Sequence, residues 1–168
     1  PGKPMKIGAG VTLERLRKEL DLVGDTMLTE LLGTLATYQI REMATVGGNL
    51  LQEKRCSFYR NGFPCYKRGG KACPCYAVVG DHRFHHAVLG SGRCQAVTPS
   101  DLATGLLALD AVALLVVAGD GKRQVAIDEL YSGPGESALV TGEILAAVHV
   151  PVSARSRRSA FEKLQKYA

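Results

Sequence analysis

The apolar residues of this chain fall into two regular stretches separated by one without a period. Within residues 1–50, the run from Lys6 to Val11 predicts a short strand. Thr12 stands before Leu13, Leu16 and Leu20, so a hydroxyl cap opens a helix with one apolar face. Asp25 or Thr26 opens a second helix, whose face is Met27, Leu28, Leu31, Leu32 and Leu35. Gln39-Ile40-Arg41 follows, and then Ala44 to Leu50, where Gly47 and Gly48 predict a tight turn after a helix. Residues 51–95 have no sustained period. A structureless loop of that length needs a functional or crosslinking reason. Regularity returns at Pro99-Ser100-Asp101, which predicts a helix start with Leu102, Leu106, Leu107 and Leu109 behind it. Ala111 to Ala118 predicts a buried strand, closed by a turn at Gly119-Asp120-Gly121 and answered by a strand from Arg123 to Ile127. Asp128 to Tyr131 predicts a short helical turn. Apolar positions alternate from Ile144 to Val150 as in a strand, Pro151 ends it, and Ser159 to Tyr167 predicts one more. Helices first and antiparallel strands later indicate an α+β fold.

Composition narrows the classes. A chain of 168 residues is one domain's worth, and long apolar runs exclude a disordered protein. No apolar stretch approaches the roughly 20 residues of a membrane-spanning helix. The net charge of +5 does not by itself imply nucleic acid. The chain opens on Pro1 with no charged and then apolar leader, so it reads as a processed product or a portion of a longer chain, cytoplasmic or periplasmic.

All five cysteines, Cys56, Cys65, Cys73, Cys75 and Cys94, lie in or beside the aperiodic segment. An odd number argues against a purely disulfide framework. The gaps are wide, and only Cys73-Pro74-Cys75 is short. Zinc ribbons use paired knuckles with two to four residues between ligands, and no pair of pairs exists here. Wide spacing with interleaved Gly62, Gly69, Gly70 and Gly80 suits a larger object, and an iron–sulfur cubane takes one thiolate per iron. Lys54, Arg55, Arg60, Lys67, Arg68 and Lys71 surround the thiols and would offset a cluster's negative charge. Zinc stays open beside it, with His82, His85 or His86 completing a Cys₃His set, as do disulfides and plain buried thiols.

Several short motifs stand in register. Gln39-Ile40-Arg41, Ala44 to Leu50, Ala96-Val97-Thr98-Pro99-Ser100-Asp101-Leu102 and Leu106 to Ala111 resemble the flavin domain of the molybdenum hydroxylases. That family includes xanthine dehydrogenase, carbon monoxide dehydrogenase and aldehyde oxidoreductases. Glu143-Ile144-Leu145 before Val150-Pro151, and Phe161 with Lys163, fit the same pattern. Asn49 and Pro99 are fifty residues apart where most members join these motifs by a short segment. Such an insertion is similar to the flavin subunits that carry an extra [4Fe–4S] cluster. Arg55 to Tyr59, Pro64-Cys65, Lys67-Arg68 and His86 to Gly90 are similar to the aldehyde type.

The resemblance implies an α+β fold, the second subdomain of a PCMH-type FAD-binding domain with a mostly antiparallel sheet. Residues 1–168 would then be a partial FAD-binding domain, and residues 51–95 its cysteine-rich insertion loop. It implies cluster ligands Cys56, Cys65, Cys73 and Cys94, with Cys75 spare or trading places with Cys73. It implies that Thr45, Val46, Gly47, Gly48 and Asn49 wrap FAD, and that Asp101 hydrogen-bonds the cofactor's polar chain. Leu145 would pack near the ring and Lys163 would set a cation near it. The implied function is electron transfer: a molybdenum-cofactor subunit oxidises an aldehyde or related substrate, and electrons pass through [2Fe–2S] centres to FAD here and on to a ferredoxin-like acceptor. No residue of this chain would oxidise substrate, since the cofactors carry the chemistry. A different class also suits the composition. Phe58, Tyr59, Phe63, Tyr66, Tyr76 and Phe84 lie among the basic residues, so a zinc-stapled module binding a partner protein or nucleic acid is the alternative. The family resemblance argues against nucleic acid.

Overall fold

A computed structural model of the chain describes residues 3–83, 86–89, 92–119, 121–133, 136–155 and 157–164. Phe84, His85, Gly90, Asp120 and Tyr167, named above, lie outside the described residues. In order the elements are β1 (Met5–Gly8), α1 (Leu13–Leu22), α2 (Thr26–Thr34), α3 (Tyr38–Met43), α4 (Val46–Leu50), α5 (Ser57–Arg60), α6 (Tyr66–Gly69), a 3₁₀ turn (Tyr76–Val78), α7 (Asp101–Ala108), β2 (Val112–Val117), β3 (Lys122–Ala126), β4 (Glu143–Val150) and α8 (Val152–Arg155). The chain separates into two units. One is Pro1–Leu51 with Ser100–Leu130 and Leu139–Ala168; the other is Gln52–Pro99 with Tyr131–Ala138. No helix among the described residues is long and apolar enough to cross a membrane.

The first unit holds a four-stranded antiparallel sheet in the order β1-β4-β2-β3 beside its helices, an α+β arrangement. Simple alternation along β4 does not survive. Leu145, Ala147, Val148 and Val150 are all buried. The reason is a bulge: Leu114 pairs with Ala147 but Leu115 pairs with Leu145, so Ala146 is the extra residue. A one-residue slip exchanges the faces of a strand, and the bulge uses that to keep Leu145 opposite the buried Leu115. The strand expected from Ser159 to Tyr167 is absent among the described residues of that segment, which run on without regular structure.

The helices follow their caps. Thr12 accepts from Arg15 N at 3.3 Å, Asp25 from Leu28 N at 3.2 Å and Ser100 from Ala103 N at 3.1 Å. Leu13, Leu20, Leu28, Leu31, Leu32, Leu102 and Leu106 are fully buried between α1, α2 and α7. Leu107, expected on the same face, is exposed. Glu14 is fully buried on α1 and accepts from Arg17 at 2.7 Å and from Arg41 Nε at 2.7 Å. The Nη1 of Arg41 donates in turn to the carbonyls of Gly33, Leu35 and Ala36, closing the end of α2. Gly105 on α7 lies where a Cβ would stand 2.5 Å from Leu31 Cδ1 and 3.3 Å from Leu28 Cδ2. Gly105→Val is therefore expected to overpack the α2–α7 contact and lower stability by about 1–3 kcal/mol. An unchanged urea midpoint in that variant would show that the leucines yield without strain.

The second unit is not the structureless loop that its aperiodic sequence predicts. Short helices and a 3₁₀ turn break it up. Phe58, Phe63 and Tyr76 cluster with ring centroids 5.3 to 6.1 Å apart, Phe63 remaining exposed. Gly80 fits against them, since a Cβ there would lie 2.7 Å from Phe58 Cζ.

Candidate functional site

The glycine pair sits inside α4, not in a turn. Thr45 caps the helix and accepts from Gly48 N at 3.1 Å. Val46 N donates to Val11 O, Gly47 N to Ala9 O at 2.8 Å and Asn49 N to Thr45 O. All four amides from Val46 to Asn49 are thus committed within the chain, and they form no free cradle for a phosphate. Gly47 is small for packing reasons: a Cβ there would stand 3.0 Å from Ala9 Cβ. At Gly48 the only neighbour a Cβ would meet within 4 Å, among the described residues, is the Thr45 hydroxyl at 3.1 Å. Gly48 itself is exposed.

Around α4 and α7 the structure gathers three more of the expected residues. Ser100 Oγ donates to Asn49 Oδ1 at 2.7 Å, joining the two motifs directly. Lys163 Nζ pairs with Asp101 Oδ2 at 2.7 Å, so the cation and the carboxylate expected to meet a cofactor meet each other. Leu145 lies in β4 opposite Leu115.

In the second unit, Cys56, Cys65, Cys75 and Cys94 line one pocket, together with Lys54 and His86. The cavity they border is about 20 Å³. Cys73, expected as the fourth thiol, is not among the lining residues. Its Sγ donates to Gly69 O at 3.3 Å and packs where a Gly69 Cβ would stand, 2.6 Å away. Among the described residues, no three His, Cys, Asp or Glu side chains converge as on a single metal ion. His82 holds Gly80 O at 2.9 Å, and His86 Nε2 lies 3.2 Å from Cys56 Sγ. His86 thus shares the pocket with the four cysteines, and His82 does not line it.

The pocket's electrostatics oppose each other. Burial pushes the Cys94 thiol above its ordinary value, and neighbouring Cys75 and Cys56 add to that, while Lys54 pulls it down. Burial likewise pushes the Lys54 ammonium below its ordinary value. This unit holds eight Lys and Arg against three Asp and Glu, so it carries the whole net charge of the chain. Among the described residues of 51–95 the aromatic rings contact one another or arginines. Phe58, Phe63 and Tyr76 pack on one another, and Tyr59 and Tyr66 are capped by Arg68 at 4.9 Å and Arg93 at 5.3 Å.

Three contributors escape a sequence reading. Glu14 and Arg41 are 27 positions apart, and nothing local marks their pairing. The bond from Ser100 to Asn49 links motifs that are each legible alone. Lys54 looks like its exposed neighbour Arg55.

The chain matches the model of the FAD-binding domain in molybdopterin dehydrogenases over residues 2–153. It is 36% identical over 145 residues to the aldehyde oxidoreductase FAD-binding subunit PaoB of Escherichia coli (strain K12), covering 82% of this chain and 43% of that protein. Among solved structures, it superposes on carbon monoxide dehydrogenase from Hydrogenophaga pseudoflava with a TM-score of 0.59 at 18% identity, over 99% of this chain and 43% of that one. The CO dehydrogenase of Oligotropha carboxidovorans gives 0.56 at 22% identity, over 90% and 38%. These likenesses show a shared fold, and the chain spans less than half the length of each relative. With a family match across nine-tenths of its length, the chain belongs to the FAD-binding domains of the molybdopterin dehydrogenases.

Proposed function

We propose that this chain is the flavin- and cluster-bearing electron-transfer part of a molybdenum-containing oxidoreductase of the aldehyde or xanthine type. The observation that carries the reading is that Cys56, Cys65, Cys75 and Cys94 border one pocket with no carboxylate among its described lining residues. Four thiols and no hard oxygen ligand suit an iron–sulfur cubane. A [4Fe–4S] cluster held there by those four residues would supply one-electron transfer. FAD would lie against Gly48 and the Asn49, Asp101 and Lys163 side chains, with the segment from Thr45 giving close backbone approach. The cysteine-rich unit is then the insertion within a partial FAD-binding domain. Substrate oxidation belongs, in this reading, to a molybdenum-cofactor subunit and a [2Fe–2S] subunit. The basic charge of the cysteine-rich unit suits an acidic, ferredoxin-like acceptor. A zinc-stapled interaction module draws no support from the packed aromatic rings.

Iron and acid-labile sulfide per chain, measured on anaerobically purified protein, test the reading. About four of each are expected. Zinc without sulfide would overturn it.

A further inference from the structure

Lys54 is 7% exposed, and lysines are almost never buried that far without a partner of opposite charge. Among the described residues it makes no ion pair, and its single side-chain hydrogen bond runs to Thr98 Oγ1 at 2.9 Å. The adjacent Glu53 pairs with Lys67 at 3.3 Å instead. An uncompensated buried ammonium is expensive, so its counter-charge is to be sought in whatever it faces. It faces the pocket of four cysteines. Four ionised thiols on a cluster would supply that counter-charge.

We propose that Lys54 is the buried counter-cation of the thiolate-bound cluster and raises its reduction potential. The inference rests on the cluster reading above. One-electron reduction adds a negative charge to the pocket, and a fixed cation in a low-dielectric setting favours the reduced state. Lys67 also lines the pocket, but its charge is paired with Glu53 at 3.3 Å. Arg55, Arg60 and Lys71 are exposed, and their fields are screened by water and salt. Thr98 fixes the ammonium through a neutral hydroxyl, which leaves the charge uncancelled.

The test is a redox titration of the cluster-loaded protein, followed by electron paramagnetic resonance. At the wild-type midpoint, Lys54→Gln is expected to lower the ratio of reduced to oxidised cluster about tenfold, which is a downward shift of about 59 mV. Lys54→Arg keeps the charge and Lys71→Gln removes only an exposed one, so both should titrate as wild type. A full cluster with an unshifted midpoint in Lys54→Gln would overturn the inference and leave the cluster reading standing. Wild-type protein without iron and sulfide would remove both. If Lys54→Gln assembles no cluster but Lys54→Arg does at the wild-type midpoint, charge is what the site requires and the inference holds. If neither assembles one, side-chain shape is the requirement and the inference falls.

Discussion

Replacing Glu14 by alanine is expected to destabilise the chain by about 3–5 kcal/mol, the effect of removing one member of a buried ion pair. Native domains have only about 5–15 kcal/mol in all, so much of the protein would unfold at ambient temperature. The size follows from what is left behind. Arg41, with a side chain only 12% exposed, would lose the carboxylate at 2.7 Å and keep only carbonyl partners. Hydrogen bonds from Arg17 and then Arg41 hold the Glu14 carboxyl at about 2, well below its ordinary 4.5. A group whose folded value is depressed stabilises the fold above its unfolded value and ceases to do so as pH falls. The contribution of Glu14 is therefore complete above about 4.5 and fades towards about 2. Urea midpoints of wild type and Glu14→Ala, taken across that window, should converge on acidification. Parallel curves would mean that the network contributes nothing specific.

Cys75→Ala should abolish bound iron and sulfide, whereas Cys73→Ala should retain the full complement. Two cysteines separated by one proline have opposite surroundings. Cys75 lines the pocket with Cys56, Cys65 and Cys94. Cys73 is turned to the carbonyl of Gly69 and fills the space beside that glycine. Its loss removes one thiol hydrogen bond, with an effect of about 1 kcal/mol on stability. The comparison is internal, because both variants remove one sulfur from the same short segment. Equal loss in both would show that the segment, and not the thiol's position, matters, and retention in Cys75→Ala would exclude it as a ligand.

Local chemistry was legible wherever it sufficed to set structure. The caps at Thr12, Asp25 and Ser100 were readable because a hydroxyl or carboxylate before an apolar period has few other uses. The glycine pair misled in the direction of a turn. What placed it in a helix was the tertiary bond from Gly47 to Ala9, which spacing does not encode. Alternation along β4 was visible, but the bulge at Ala146 depends on how Leu115 and Leu145 meet across strands. The cysteines announced a shared task through their clustering. Which of Cys73 and Cys75 lines the pocket depends on the backbone around Pro74, and the burial of Lys54 on the whole unit around it. The regular part of the fold was thus open to pattern, while the site was decided by contacts between distant positions.

The order of the sheet has a consequence for self-association. Its two outer strands are β1 and β3, and an outer strand is a template to which another chain can add. β1 is only four residues long and carries Lys6. β3 opens with Lys122, Arg123 and Gln124, all exposed. Arg123 reaches across β2 to grip Glu143 of β4 through two bonds, at 2.6 and 2.7 Å. Any chain docking on that edge would have to strip water from a lysine and disturb a guanidinium already engaged. The rim of the sheet therefore resists fibrillar growth, although its centre, from Val112 to Val117, is a run of six apolar residues of the kind that aggregates when exposed.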